Sequence, residues 1–193
     1  VSPCGEHGVD DMVLSVQALP TADAGVDTTT CEDASYMLDG MATDQDSVLW
    51  STSGDGSFDD PMLLNATYTP GSGDITSGSA TLTLIAYAIL PCGTDASDDM
   101  ILSIQLLPTA NAGDDAAICE GDTYTLAGSA TDYDVVQWTT SGDGTFDDPT
   151  LLNATYTPGS SDISAGSATL TLTAEAMEPC DTDAEDDMVL SIQ

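Results

Sequence analysis

An all-β chain, built as tandem Greek-key β-sandwiches of about seven strands each, is what the sequence predicts. Three observations predict it. The chain repeats itself at an offset of 88 residues, its apolar residues alternate instead of following a helical period, and turn clusters punctuate it at short intervals.

The repeat is exact in register. Cys31 falls on Cys119, Trp50 on Trp138, Phe58 on Phe146, Asn65 on Asn153 and Cys92 on Cys180, with no gap, and about two thirds of the aligned positions are identical. The same offset lays Pro3-Cys4 on Pro91-Cys92 and Asp10-Asp11-Met12 on Asp98-Asp99-Met100. Residues 1–19 therefore read as the last strand of a preceding repeat, or as a strand to donate to a neighbour. Residues 20–107 and 108–193 read as two whole units. A period of 88 residues is too long for a solenoid repeat and fits a string of separate domains.

Strands follow from the alternation. Thr123–Ala127, Val135–Thr140, Ala168–Ala174 and Asp187–Ile192 each place apolar residues on one side and polar ones, many of them Thr, on the other. Between them lie Ser141–Gly144, Asp148-Pro149, Thr157–Asp162 and Glu178–Asp181, rich in Gly, Pro, Asp and Ser. No helical period is expected to outlast a turn.

Charge decides which partners are excluded. The 193 residues contain 34 Asp and Glu, one His (His7) and no Lys or Arg, for a net charge of −34. Nothing is present to neutralise phosphates, so nucleic acid and anionic membrane surfaces are not expected partners. No run approaches the ~18 apolar residues of a membrane-spanning helix, so direct insertion is not expected, and any export signal or anchor is expected outside this segment. Exposed carboxylates about 5 Å apart repel by roughly 0.8 kcal/mol in water. Such a surface either stays extended and soluble through self-repulsion or takes up Ca²⁺.

Pro108–Asp115, then Cys119-Glu120-Gly121-Asp122, then Trp138–Phe146 resemble the PKD/Ig-like tandem repeats of bacterial surface proteins, with large secreted adhesins of Bacteroidota-type bacteria the nearest likeness. The resemblance spans essentially the whole chain. It implies an Ig-like sandwich on the cell surface or outside the cell. The usual PKD string of Trp-Asp-Phe-Gly-Asp-Gly type is here Trp-x-x-x-Gly-Asp-Gly-x-Phe.

Candidate sites each have a plainer reading. Asp55, Asp59 and Asp60, and their twins Asp143, Asp147 and Asp148, crowd three acids into six residues and offer oxygen ligands to Ca²⁺, though not at the spacing of an EF-hand. The plainer reading is turn chemistry, Asp-Gly making the turn and Asp-Pro ending the strand. Asp114 and Asp115 between the units form a second Ca²⁺ candidate, weakened because the matching Ala24-Gly25-Val26-Asp27 keeps one acid. Asn65-Ala66-Thr67 and Asn153-Ala154-Thr155 are N-glycosylation sequons, or simply polar turns. Asp27-Thr28-Thr29 and Asp46-Ser47-Val48 match a short O-glycosylation pattern. Trp50 and Trp138 read as core tryptophans in preference to a carbohydrate platform.

Five cysteines with no CxxC element point to disulfides in an oxidising exterior, not to zinc. Counting favours Cys31–Cys92 and Cys119–Cys180, one bridge per unit. Strand parity favours a staggered Cys31–Cys180 bond, because in an Ig-type sandwich Cys31 and Cys92 lie at opposite ends. The intra-unit pairing is the expectation we adopt, on the ground that an irregular first strand brings the two ends together. Cys4 needs a partner outside the chain in either scheme.

Repetition, acidity and disulfides together predict a structural segment of an extracellular stalk or filament, whose partners are neighbouring repeats, identical subunits in a fibre, or glycans. The alternative is a carbohydrate- or protein-binding adhesin module. An enzyme is not expected: every candidate acid is duplicated, and the single His lies in the partial repeat.

Overall fold

A computed structural model describes residues 10–193. The first unit is built from β1 (Thr21–Asp23), β2 (Thr28–Cys31), β3 (Tyr36–Met37), β4 (Met41–Thr43), β5 (Gln45–Thr52), β6 (Ser57–Phe58), β7 (Thr67–Thr69), α1 (Ser72–Ser77), β8 (Ser79–Ala88) and β9 (Ala96–Gln105). The second repeats this order as β10 (Thr109–Asn111), β11 (Ala116–Ile118), β12 (Tyr124–Thr125), β13 (Ser129–Thr131), β14 (Tyr133–Thr140), β15 (Thr145–Phe146), β16 (Thr155–Thr157), α2 (Ser160–Ala165), β17 (Ser167–Ala176) and β18 (Ala184–Ile192).

Each unit is a sandwich. One face is a four-stranded sheet in the order β2-β9-β8-β5, repeated as β11-β18-β17-β14. The other carries β3-β7-β6 with a β1-β4 pair beside it, repeated as β12-β16-β15 and β10-β13. Two interruptions raise the segment count above the seven strands expected. The first strand changes sheets between β1 and β2, where Gly25 adopts φ +92°, a left-handed conformation that suits a residue without Cβ. The second strand breaks between β3 and β4 around Leu38 and Gly40. Joined across these breaks, the segments give seven strands in an Ig-like arrangement.

The alternation read from sequence is what builds the core. Along β8, Ala80, Leu82, Leu84 and Ala86 point inward, and along β9 so do Met100, Leu102 and Ile104. All of these except Ile104 close on Trp50, Leu38 and Tyr68. The second core repeats the set around Trp138, Leu126 and Tyr156. Both tryptophans are buried, at 2% and 1% exposure, which places them as core residues. Each joins an aromatic row, Trp50–Phe58–Tyr68 and Trp138–Phe146–Tyr156, with neighbouring ring centroids 4.9 to 6.4 Å apart.

Two sequence expectations are corrected. The Thr157–Asp162 turn cluster opens into α2, and its counterpart into α1, each a helix of six residues. Thr123–Ala127 does not run as one strand: β12 stops at Thr125 and pairing resumes at Ser129 in β13. Residues 10–20 form no strand, and Met12, Val13, Leu14 and Val16 are exposed. Among the described residues no helix is long and apolar enough to cross a membrane.

Leu84 pairs in register with Trp50 and is fully buried, yet it belongs to the first core alone. Leu84→Ala should cost about 2–5 kcal/mol and remove amide-exchange protection from residues 80–104 while residues 168–192 keep theirs. Equal loss in both halves would show that the two cores do not stand separately.

Candidate functional site

Two features stand out in each unit: a carboxylate-locked turn and a cysteine at the joint. The first contains the acids singled out as Ca²⁺ candidates. Asp55 lies at the tip of the β5–β6 turn and faces the N-terminus of α1. Its carboxylate accepts from Gly73 N–H at 2.9 and 3.0 Å and from Asp74 N–H at 3.2 Å. Those are donors the first helical turn leaves without internal partners. Asp74 returns the arrangement. Its buried carboxylate accepts from the N–H groups of Asp55, Gly56 and Gly71 at 3.3, 3.0 and 3.0 Å, and from the Tyr68 hydroxyl at 2.6 Å. Turn and helix thus cap each other. Gly54 is required here because a Cβ at that position would collide with the Asp74 carboxylate.

The second unit repeats the lock. Asp143 accepts from Ser161 N–H at 3.0 Å, and Asp162 accepts from Asp143 N–H, Gly159 N–H and the Tyr156 hydroxyl at 3.3, 2.9 and 2.7 Å. Asp74 and Asp162 did not figure among the sequence candidates. The available signal was Gly71-x-x-Asp74, a helix start with an acid at its third position.

Burial alone would raise the Asp74 pKa, but the Tyr68 hydroxyl and the three backbone N–H groups outweigh it and hold the carboxyl below its ordinary range. The converse holds for the phenols. Burial and the adjacent Asp74 push Tyr68 up to about 12, and burial, with Asp162 nearby, does the same to Tyr156.

The other Ca²⁺ candidates, Asp114 excepted, also face backbone donors. Asp59 accepts from Thr67 N–H and Asp60 N–H, both at 2.7 Å, and these bonds lower its pKa. Asp147 repeats this with Thr155 and Asp148. Asp60 accepts from Met62 N–H at 3.0 Å, and Asp148 from Thr150 N–H and hydroxyl at 3.0 and 2.6 Å. Asp115 accepts from Val189 N–H at 2.8 Å, as Asp27 does from Ile101 N–H, whereas Asp114 is simply exposed. Asp55 and Asp143 face the helix starts, whereas Asp59-Asp60 and Asp147-Asp148 each share a different turn. Among the described residues no three His, Cys, Asp or Glu side chains gather as a metal-binding group.

The cysteines correct the adopted pairing. Cys31 bonds to Cys180, 149 residues away, with Cα atoms 4.9 Å apart. Cys92 and Cys119 carry free thiols. The reason is strand direction. β2 runs parallel to β9, and Cys31 sits opposite Gln105, at the end of β9. Cys92 precedes the start of β9, and ten residues of strand separate the two positions by roughly 34 Å. That span forbids a Cys31–Cys92 bond. Cys180 occupies the matching loop of the second unit, with its Sγ 3.4 Å from the Gln105 carbonyl oxygen, and so reaches Cys31 across the linker. Cys4 and His7 lie outside the described residues.

Asn65 and Asn153 are exposed in the loops leading into β7 and β16. Beside Asn153 an open groove of about 660 Å³ runs along Tyr133, Val135, Gln137 and Leu151. With both tryptophans buried, Tyr133 is its one aromatic lining residue.

No family model matches the chain, and no curated protein matches it. Solved structures do share its fold. The IG1+IG2 pair of DIP-gamma superposes with a TM-score of 0.52 at 12% identity, covering 92% of this chain and 99% of that one. Sidekick-1 immunoglobulin domains 1–5 give 0.51 at 16% identity over 90% of this chain and 39% of that one. The insect immune protein hemolin, described as a domain arrangement with implications for homophilic adhesion, gives 0.51 at 10% identity over 89% and 46%. The chain thus spans less than half of the latter two. At these identities the likeness concerns the fold, an Ig-like sandwich repeated in tandem.

Asp74→Asn replaces one acceptor oxygen by a donor and leaves buried N–H and O–H groups unpaired, at a cost of about 1–3 kcal/mol near pH 7. A carboxyl with a lowered folded pKa stabilises above its unfolded value of ~3.9 and loses that contribution as pH falls through the folded value. Chemical denaturation from pH 7 to pH 2 should therefore show the gap between wild type and Asp74→Asn closing below about pH 4. A gap of constant size would contradict an ionised, hydrogen-bonded Asp74.

Proposed function

We propose that the chain is a structural segment of an extracellular stalk or filament, of the kind that carries bacterial surface adhesins, in which like units are stapled at their joints. The observation that carries this reading is the Cys31–Cys180 bond, which joins one unit to the next. A bond of this kind persists in an oxidising exterior. Closing so long a loop stabilises the pair by roughly 5 kcal/mol against the unfolded chain. It also adds a second covalent link beside the linker and limits hinging there.

The surface supports the same reading. A net charge of −34 without a single Lys or Arg keeps neighbouring units apart and the array soluble. It also leaves no site for trypsin-like proteases. Ca²⁺ enters this reading as a counter-ion of the acidic surface and not as the element that holds the fold, since Asp55, Asp59, Asp60, Asp115, Asp143, Asp147 and Asp148 already face hydrogen-bond donors. Glycans at the exposed Asn65 and Asn153 would add bulk at an equivalent point of every unit.

Electron microscopy of the protein isolated from its source tests the proposal. Extended particles should keep their contour in EDTA and should bend at the joints once a reductant opens the disulfide. Dispersed compact monomers in every condition would overturn the stalk reading, and collapse in EDTA with the disulfide intact would transfer the rigidity to Ca²⁺.

A further inference from the structure

We propose that Asp11–Gln17 is the final strand of a further unit of this same repeat, joined in front of it, and that Cys92 forms with that unit's cysteine the staple that Cys180 forms with Cys31. The inference rests on the tandem-array reading and deepens it.

Burial supplies the first observation. Asp10–Gln17 reads Asp-Asp-Met-Val-Leu-Ser-Val-Gln, against Asp-Asp-Met-Ile-Leu-Ser-Ile-Gln at 98–105 and Asp-Asp-Met-Val-Leu-Ser-Ile-Gln at 186–193. In β9 and β18 the alternate side chains Met100, Leu102, Ile104 and Met188, Leu190, Ile192 are 0–8% exposed. Their counterparts Met12, Leu14 and Val16 are 76–86% exposed. A sequence with the period of a half-buried strand, central in the sheet in both units where its neighbours are present, stands bare here. In its sheet β9 lies between a parallel β2 and an antiparallel β8, and its Met100 and Leu102 side chains are covered by the unit's core around Trp50, Leu38 and Tyr68. The occupant that fits Asp11–Gln17 is therefore a unit of this repeat supplying those two strands.

The thiol supplies the second observation, independently of the first. Cys92 Sγ lies 3.5 Å from the Gln17 carbonyl oxygen and 3.8 Å from that of Ala18. Cys180 Sγ lies 3.4 and 3.9 Å from the equivalent oxygens of Gln105 and Leu106. Cys92 is thus already seated at the end of the bare segment as Cys180 is seated at the end of β9. Cys31 reaches Cys180 because parallel pairing sets it opposite Gln105. A unit that takes Asp11–Gln17 as its last strand sets its own cysteine opposite Gln17, beside Cys92. Cys119 of a second copy is a poorer candidate, because β18 already fills the place next to β11.

The bond forms by thiol–disulfide exchange. The two thiols lose two protons and two electrons to a small disulfide such as oxidised glutathione, which leaves as two thiols.

The test joins a copy of residues 20–88 directly in front of Val1 of the full chain, which restores the 88-residue spacing, and compares it with the chain as it stands. Both are folded in a glutathione redox buffer. The extended chain should show a Cys92 bond to the added cysteine in a non-reducing peptide map and at least a tenfold drop in Cys92 alkylation. Amide exchange at residues 12–16 should slow by about a hundredfold or more. Met12→Asp with Leu14→Asp in the extended chain should reverse all three. An extended chain in which Cys31–Cys180 forms while Cys92 stays reactive and residues 12–16 stay unprotected overturns this proposal alone. A Cys92–Cys119 link between copies of the extended chain also overturns it. Failure of Cys31–Cys180 itself overturns both this proposal and the stapled-stalk reading.

Discussion

The parallel pairing of β2 with the end of β9 is the constraint on which the rest of the molecule depends. It follows from the first strand changing sheets at Gly25, which frees Thr28–Cys31 to run alongside the last strand. One covalent consequence follows from that geometry. Cys31 is carried to the exit of its own unit, beside the linker, and away from the loop that holds Cys92. The bond to Cys180 is then the short path, and a linker that would otherwise act as a hinge becomes one of two connections between the units. Relative domain motion is the default across a simple linker, so the staple changes the mechanics of the chain more than the stability of either sandwich.

A second constraint is the absence of Lys and Arg. With no cationic side chain but His7 to pair with, many carboxylates here find backbone N–H groups instead. Asp98 and Asp186 hold the N–H groups of Ala24 and Ala112 where the first strand leaves its sheet. Asp95 and Asp183 hold Ala88 and Ala176 and close the loops that carry Cys92 and Cys180. Asp55 and Asp74 lock a turn against a helix. Hydrogen bonds to an ionised acceptor are stronger than neutral ones, and they are short-ranged and directional. Acidity therefore does structural duty inside each unit while its excess repels between units.

Much of this was legible in the sequence, and the illegible part has definite causes. The repeat, the all-β class and the strands at Ala168–Ala174 and Asp187–Ile192 follow from spacing and alternation alone. Trp50 and Trp138 fell in the core because their neighbours alternate. The six-residue helices were hidden, since one helical turn and a half leaves no period to detect. Asp74 is not legible because a buried acid is uncommon and the donors that surround it come from Gly56, Gly71 and Tyr68, which local spacing does not bring together. The carboxylate clusters near Asp55 and Asp143 were recognisable as crowded, but crowding in sequence does not fix direction. In space those acids point to different backbone groups. The disulfide expectation fails at one step. Counting cysteines per unit treats each unit as closed, whereas strand direction, also available from an Ig-type arrangement, pointed across the joint.

The central claim is that the units are linked by a staggered bond and not closed one by one. A non-reducing peptide map of the oxidised chain tests it most directly, with acid-directed proteolysis because trypsin has no site. The account predicts a peptide pair joining Cys31 to Cys180, with Cys92 and Cys119 recovered as thiols. Recovery of Cys31–Cys92 together with Cys119–Cys180 would contradict it.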